Sequence, residues 1–208
     1  MRLLTEAAAE DFLELEGFPL AKRKICSSLP STKAFAQEIG YPVVLKIAAE
    51  KLVHKSDINS VRVHIMPEEI EKTFKELMQI KIEKQGILVQ EYKAGKEVLI
   101  GLKKNPTFGH VIVCGMGGIY TEIMQDVSVR IAPVTKTQAQ AMVHELKAHK
   151  ILEGFRGHKV NSNAIVQLIL HLSKLSEKYP HIQELDINPA IISDSQATIV
   201  DARIVFED

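Results

Sequence analysis

The sequence predicts an α+β protein rather than a doubly wound α/β sheet. Two observations lead to this fold class. Helical and strand-like segments follow each other along the 208 residues without regular β-α-β alternation. Short strand-like runs are also grouped, with several in succession between residues 87 and 114. A chain of this length can form one large domain or two small lobes with separate cores.

The first half of the chain begins with two predicted helices. Apolar residues recur at helical spacing within residues 5–16, and Gly-Phe-Pro at 17–19 ends that helix. A second helix is predicted over 31–39. Residues 43–63 then indicate a strand, a polar connection and another strand. Pro67 suits the first position of a long amphipathic helix.

The second half changes from mostly strand to mostly helix and back. Apolar alternation, glycine positions and helical periodicity indicate each element in turn. The predicted elements are strands at 87–92, 97–103 and 111–114, helices at 136–147 and 161–178, and strands at 184–192 and 197–205.

Composition excludes several classes of protein. The chain has 26 basic and 26 acidic residues, so no charge excess favours nucleic acid or an anionic membrane as a partner. Cys26 and Cys114 are its only cysteines, which is typical of a reducing cytoplasm. The first ten residues lack the apolar segment of a signal peptide, and no apolar run is long enough to span a membrane. A cytoplasmic location is therefore expected.

Lys46 lies in the middle of an apolar strand. Strand alternation places Val43, Leu45 and Ile47 on one face and Lys46 on the other. One interpretation is a lysine on a solvated face. The other is a cation held against an anionic ligand such as a phosphate.

The connection after that strand contains His54-Lys55-Ser56-Asp57. A histidine in a polar loop is most often simply exposed. His54 could instead carry a proton or a phosphoryl group, since imidazole titrates near neutral pH and is nucleophilic.

A glycine cluster, Gly115-Met116-Gly117-Gly118, follows the apolar strand at 111–114. Its backbone N–H groups could cradle a phosphate, or the glycines could serve only a tight turn. Glu91 and Glu97 flank a short link between strands, where each is either solvated or placed to accept a ribose hydroxyl.

Three oxygen-bearing side chains occur near the end of the chain. Asp186 and Asn188 are two residues apart on one predicted strand and share a face, and Asp201 lies within the next predicted strand. If these strands pair, the three side chains converge, and hard oxygen ligands suit Mg²⁺. The alternative is that Asp201 pairs with Arg203 or with a backbone turn.

Taken in order, these segments resemble the ATP-grasp β subunit of ADP-forming acyl-CoA synthetases, specifically acetate–CoA ligase (ADP-forming). They are more distantly similar to the succinyl-CoA synthetase β subunit. The resemblance covers nearly the whole chain. It rests on GYPVVLKI (40–47), HKSD (54–57), ILVQEY (87–92), GMGGIYTE (115–122), DVSVRIAP (126–133), ILEGFRG (151–157), ELDINPAII (184–192) and VDARI (200–204).

The resemblance implies one ATP-grasp domain over 1–208, with two α+β lobes and the nucleotide between them. The smaller lobe would span about 20–90, and the larger about 91–208 packed with the N-terminal helix at 1–17. The implied activity is that of an acid–thiol ligase, forming ATP reversibly from acyl-CoA, ADP and phosphate. ATP or ADP and Mg²⁺ would be bound. The implied partner is an α subunit with a CoA-binding domain and a phosphohistidine, and the interface with it should be an apolar surface.

The resemblance also assigns residues. Lys46 would contact phosphates, Glu91 and Tyr92 the adenine, and Glu97 the ribose. The roles of the remaining residues follow from the same resemblance: His54 would relay the phosphoryl group, Gly115, Gly117 and Gly118 would face the phosphohistidine, and Asn188 and Asp201 would bind magnesium with Asp186 beside them as a catalytic residue.

One loop departs from the family pattern. HKSD usually continues with Ala-Gly-Gly-Val, whereas Ile58-Asn59-Ser60-Val61 follows here. Loss of both glycines removes easy positive φ and close backbone approach to phosphate. The alternative function is therefore a degenerate ATP-grasp module with a structural or regulatory role. A carboxylate–amine ligase on the same fold is disfavoured, because it would need its own acceptor site.

Overall fold

The computed structural model describes residues 1–49, 60–118, 126–153 and 160–207. The chain divides into two compact units, a small unit of Ala21–Lys93 and a large unit of Met1–Leu20 with Ala94–Asp208. In chain order the described elements are β1 (Arg2–Leu3), α1 (Glu6–Leu15), β2 (Arg23–Cys26), α2 (Leu29–Ile39), β3 (Val43–Ala48), β4 (Val61–Ile65), α3 (Ile70–Gln79), β5 (Gly86–Glu91), β6 (Lys96–Asn105), β7 (Gly109–Met116), β8 (Val127–Ile131), α4 (Lys136–His144), α5 (His149–Leu152), α6 (Ser162–Lys178), β9 (Ile182–Ile192), β10 (Ala197–Ile199) and β11 (Ala202–Phe206).

The small unit is a four-stranded antiparallel sheet in the order β2-β5-β3-β4, with α2 and α3 on one face. Alternate β3 residues Val43, Leu45 and Ile47 point into the core under these helices. Ile70 and Leu77 of α3 complete that core. The predicted two-faced strand around Lys46 is therefore confirmed.

The large unit is a seven-stranded antiparallel sheet in the order β1-β11-β9-β6-β7-β8, with β10 paired to β9. Helices α1, α4 and α6 contribute to its core, and the sheet contributes the inward residues of its central strands. On β6 and β7 these inward residues include Ile100, Leu102, Ile112 and Cys114. The opposite face of this sheet carries Glu97 on β6 and Asp186 and Asn188 on β9.

The predicted α+β class is confirmed, and the three largest departures from the predicted element boundaries are the following. Pro67 does not begin a helix: residues 67–69 form a turn, and α3 starts at Ile70. The helix predicted over 136–147 ends at His144. The strand predicted over 197–205 is divided at residues 200–201. Strands β1, β2 and β8 and the short helix α5 were not predicted.

None of the helices in the described ranges has the length and apolar composition needed to cross a membrane.

Candidate functional site

The break between β10 and β11 places Asp201 beside Asn188. Ala202 pairs with Ile187, and Arg203 with Asp186, so Asp201 is the next residue opposite Asn188. The Asn188 N–H donates to the Asp201 carbonyl at 3.2 Å. The next residue, Pro189, has no N–H to donate to the ladder, which gives a physical reason for the break. The prediction that Asp201 lies inside a regular strand is wrong, but the predicted convergence of these strands is correct.

Asp186 lies two residues before Asn188 on the same face of β9. Burial, together with the negative charges of Glu184 and Asp201, raises the pKa of Asp186 to about 6, although the nearby Arg203 lowers it. The two carboxylates of Asp186 and Asp201 thus repel each other in a partly desolvated position. A bound cation would relieve that repulsion.

The donor set fits a magnesium ion only if other oxygens join it. Within the described part of the chain, no three His, Cys, Asp or Glu side chains are grouped to hold a metal by themselves. Two carboxylates and one amide oxygen are nevertheless hard ligands, and protein-bound Mg²⁺ commonly keeps waters and substrate phosphate oxygens. Asn188 and Asp201, with Asp186 beside them, are therefore suited to a metal–phosphate complex.

The glycine loop passes directly over Glu97. The Gly117 N–H donates to the Glu97 carbonyl at 2.8 Å. A Cβ atom on Gly117 would lie 2.9 Å from the Glu97 carbonyl carbon, and one on Gly118 would lie 2.1 Å from Glu97 Oε2. Gly118 also has φ +63°, which favours glycine. The structure therefore brings Glu97 together with the loop, which the sequence did not predict.

Gly115 packs against the chain that follows the loop. A Cβ atom on Gly115 would lie 2.8 Å from the carbonyl oxygen of Asp126. The Asp126 carboxylate accepts backbone N–H groups of Lys147 at 2.8 Å and of Ala148 at 2.9 Å, and its side chain is only 4% exposed. Sequence reasoning missed this anchor. The one available signal was an aspartate directly before an alternating strand.

In the small unit, Lys46 is 4% exposed and lies on the sheet face opposite α2 and α3. Its register neighbours are Val61 on β4 and Leu88 on β5. This burial excludes the interpretation of a solvated surface lysine, because a lysine is rarely buried unless its charge has a partner.

The residues that follow Lys46 are only partly described. His54, Ile58 and Asn59 lie outside the described residues. Ser60 is fully buried, and its carbonyl accepts the Ile47 N–H at 3.0 Å. Ser60 thus begins the pairing of β3 with β4.

Glu91 and Tyr92 end β5. The Glu91 carboxylate forms an ion pair with Lys93 at 2.7 Å, and the Tyr92 ring meets His64 edge to face at 5.2 Å. The Glu91 N–H also donates to the Lys22 carbonyl at 2.9 Å, so both the side chain and the N–H of Glu91 have partners within the small unit.

Comparison with known proteins identifies relatives over nearly the full chain. The family model described as "ATP-grasp domain" matches residues 1–206. The β subunit of acetate–CoA ligase (ADP-forming) I of Pyrococcus furiosus is 38% identical, with 99% of this chain and 92% of that subunit covered. Acetate–CoA ligase (ADP-forming) I of Archaeoglobus fulgidus is 41% identical over 93% of this chain, but the match spans only 30% of that longer protein.

Solved structures agree with this match. The dinucleotide-forming acetyl-coenzyme A synthetase 1 of Candidatus Korarchaeum cryptofilum, in complex with coenzyme A and Ca-AMPCP, superposes with a TM-score of 0.92 at 36% identity, covering 99% of this chain and 94% of that chain. A second structure of that protein, with Mg-AMPPCP and a phosphohistidine segment pointing towards the nucleotide site, gives a TM-score of 0.85 at 36% identity, with 99% and 93% covered. The predicted ATP-grasp fold is confirmed.

Proposed function

Because this chain belongs to the ATP-grasp family and to the branch of ADP-forming acetate–CoA ligase β subunits, we propose that it is the nucleotide-binding subunit of an ADP-forming acid–CoA ligase. The reaction is acyl-CoA + ADP + phosphate ⇌ carboxylic acid + CoA + ATP. In this chain's part of it, the phosphoryl group moves from a phosphohistidine to ADP. The observation that carries the proposal is the cross-strand placement of Asp201 opposite Asn188, with Asp186 beside them.

Apart from His54, the chain's residues supply charge and position rather than covalent chemistry. Lys46 neutralises phosphate charge, and the loop that contains Gly115, Gly117 and Gly118 faces the phosphohistidine of the partner. The backbone at Glu91–Tyr92 binds adenine, and Glu97 accepts a ribose hydroxyl.

Two roles complete the assignment. Asn188 and Asp201 would hold Mg²⁺, which when bound neutralises charge on the phosphates and orients them. His54 relays the phosphoryl group between the partner and the nucleotide, which requires an unprotonated imidazole nitrogen.

The partner is a chain with a CoA-binding domain and a phosphohistidine. Support for it comes from the relatives: one is named as a β subunit, and another is a single longer protein of which this chain matches 30%. The acyl substrate is bound by that partner.

Calorimetry of the isolated chain with Mg·ADP tests whether the chain binds the nucleotide. We expect micromolar to submillimolar binding that is lost in EDTA, and Asn188→Ala and Asp201→Asn should each weaken it by about tenfold, or ~1.4 kcal/mol. Asp194→Asn, at an exposed turn residue, is the matched control. If millimolar Mg·ADP does not bind, the proposal is wrong for this chain.

Reconstitution with the CoA-binding partner tests phosphoryl transfer. The readout is phosphate-dependent ATP formation from acetyl-CoA. His54→Ala should abolish turnover and leave Mg·ADP affinity within about twofold. Persistent turnover would remove His54 from the relay.

A non-catalytic ATP-grasp module is the second candidate function. Its support is the replacement of the usual glycines by Asn59 and Ser60. A complex that binds Mg·ADP but forms no ATP would favour this candidate.

A further inference from the structure

The edge strand β8 has an inverted pattern of polar and apolar residues. Ser128 and Arg130 point to the helix side of the sheet, where both contact the Glu145 carboxylate, Ser128 at 2.9 Å and Arg130 through an ion pair. The other face of β8 carries Val127, Val129 and Ile131, which are 44%, 47% and 51% exposed. An antiparallel strand over a core normally places its apolar residues inward and its polar residues outward. Strand β8 does the opposite.

The neighbouring strand extends this apolar surface. Val111 pairs with Ile131 and Val113 with Val129, so these valines lie on the same outer face. Phe108, in the β6–β7 turn just beyond, is 58% exposed. We name the surface formed by Val111, Val113, Val127, Val129 and Ile131 the valine face. Contiguous exposed apolar residues of this kind mark interaction sites.

The valine face is continuous with the acidic residues Glu184, Asp186 and Asp201 of the candidate site, which we call the acidic cluster. One cross-strand row runs from Val129 to Val113, then to Gly101 and then to Asp186. Adjacent strands lie about 4.8 Å apart, so Val129 and Asp186 are separated by about 14 Å. Gly101, between them, has no side chain. A chain resting on the valine face therefore lies within a few residues' reach of Asp186.

We propose that the valine face is the docking surface for the CoA-binding chain that delivers the phosphoryl group. This inference rests on the proposed function. That function requires a second protein segment to approach this nucleotide site. Most of the A. fulgidus relative lies outside the region matched by this chain, so a larger body of protein accompanies the domain there. The apolar residues of β7 and β8 are bordered by the exposed Lys103, which pairs with Val111, and an apolar centre with a charged residue at its edge matches the composition of a protein interface.

The test uses the native complex. The chain is purified from its source cells, and its CoA-binding companion is identified by retention on immobilised coenzyme A. If no CoA-binding chain accompanies it, the proposed function fails, and the docking proposal fails with it. If one does, the two chains are produced separately and their affinity is measured.

Val129→Asp should weaken that association by about thirtyfold or more, since a charge would be buried in the interface. Its Mg·ADP affinity and its thermal unfolding midpoint should be unchanged. Val63→Asp is the matched control, because Val63 is a 62% exposed strand valine in the small unit. Equal partner affinity for the two variants would overturn the docking surface and leave the proposed function standing.

Hydrogen exchange of the unsubstituted chain gives a measurement that does not depend on a variant. The backbone amides of residues 127–131 should be protected from exchange in the presence of the CoA-binding chain and not by self-association. Protection that depends on the concentration of the isolated chain would identify a second copy as the occupant, and would refute the proposal.

Discussion

Replacing Asp126 by asparagine tests how the large unit holds the chain on either side of the glycine loop. One carboxylate oxygen accepts the Lys147 N–H and the other accepts the Ala148 N–H. Asparagine retains one acceptor oxygen, which can still accept one of these N–H groups. Its NH₂ group is a donor, so it would face the other backbone N–H without forming a hydrogen bond. One backbone donor is then unsatisfied at a site where the side chain is only 4% exposed.

The magnitude follows from the two hydrogen bonds. A hydrogen bond to a charged group contributes about 1.5–3 kcal/mol, and a neutral bond contributes about 1 kcal/mol. Losing one charged bond and weakening the other should reduce the free energy of unfolding by about 2–4 kcal/mol. Asp126→Ala should cost more, because neither N–H then has a partner.

Urea unfolding followed by circular dichroism measures this loss, and amide hydrogen exchange at Lys147 and Ala148 locates it. Asp194→Asn serves as a control for the removal of one negative charge. The anchoring role would be refuted if the free energy of unfolding of Asp126→Asn lay within about 0.5 kcal/mol of that of the control and hydrogen exchange at both amides were unaltered.

Three further predictions address individual residues. Gly118→Ala should displace the Glu97 carboxylate and weaken Mg·ADP binding by about tenfold in calorimetry, whereas Gly109→Ala, which also has positive φ but open space around it, should leave the affinity unchanged. Burial lowers the pKa of His171, so the unfolded chain binds its proton more readily and stability should fall as pH drops below about 6.5; His171→Gln should flatten that dependence in urea titrations at pH 5.5 and 8. Lys84 donates three hydrogen bonds to carbonyls at the end of α3, at 2.6–3.0 Å, so Lys84→Met should lower the free energy of unfolding by about 1–2 kcal/mol, and an unchanged urea midpoint would argue against this cap.

The sequence by itself determined the local pattern of the fold. Alternation placed Lys46 opposite the core-facing residues of β3, and helical periodicity located α1 and α6, because both signals depend only on neighbouring residues. The sequence also determined family membership. Eight segments in the family's order identify the family, although no single segment would do so.

Tertiary pairing decided what local pattern could not. Whether Lys46 is solvated or buried depends on what covers its face of the sheet. Asp201 lies at the break between β10 and β11 because Pro189 on the partner strand has no N–H to donate there. In each of these cases the deciding contact comes from outside the local pattern.

The same reason explains the residues that were missed. Asp126 acts through N–H groups more than 20 residues away, and Glu97 meets the glycine loop only because β6 pairs with β7. The alternation of β8 was present in the sequence, but which of its faces points outward was decided by the packing of Ser128 and Arg130 against Glu145. Sequence periodicity identifies two faces of a strand, and only the assembled sheet decides which of them is left for a partner.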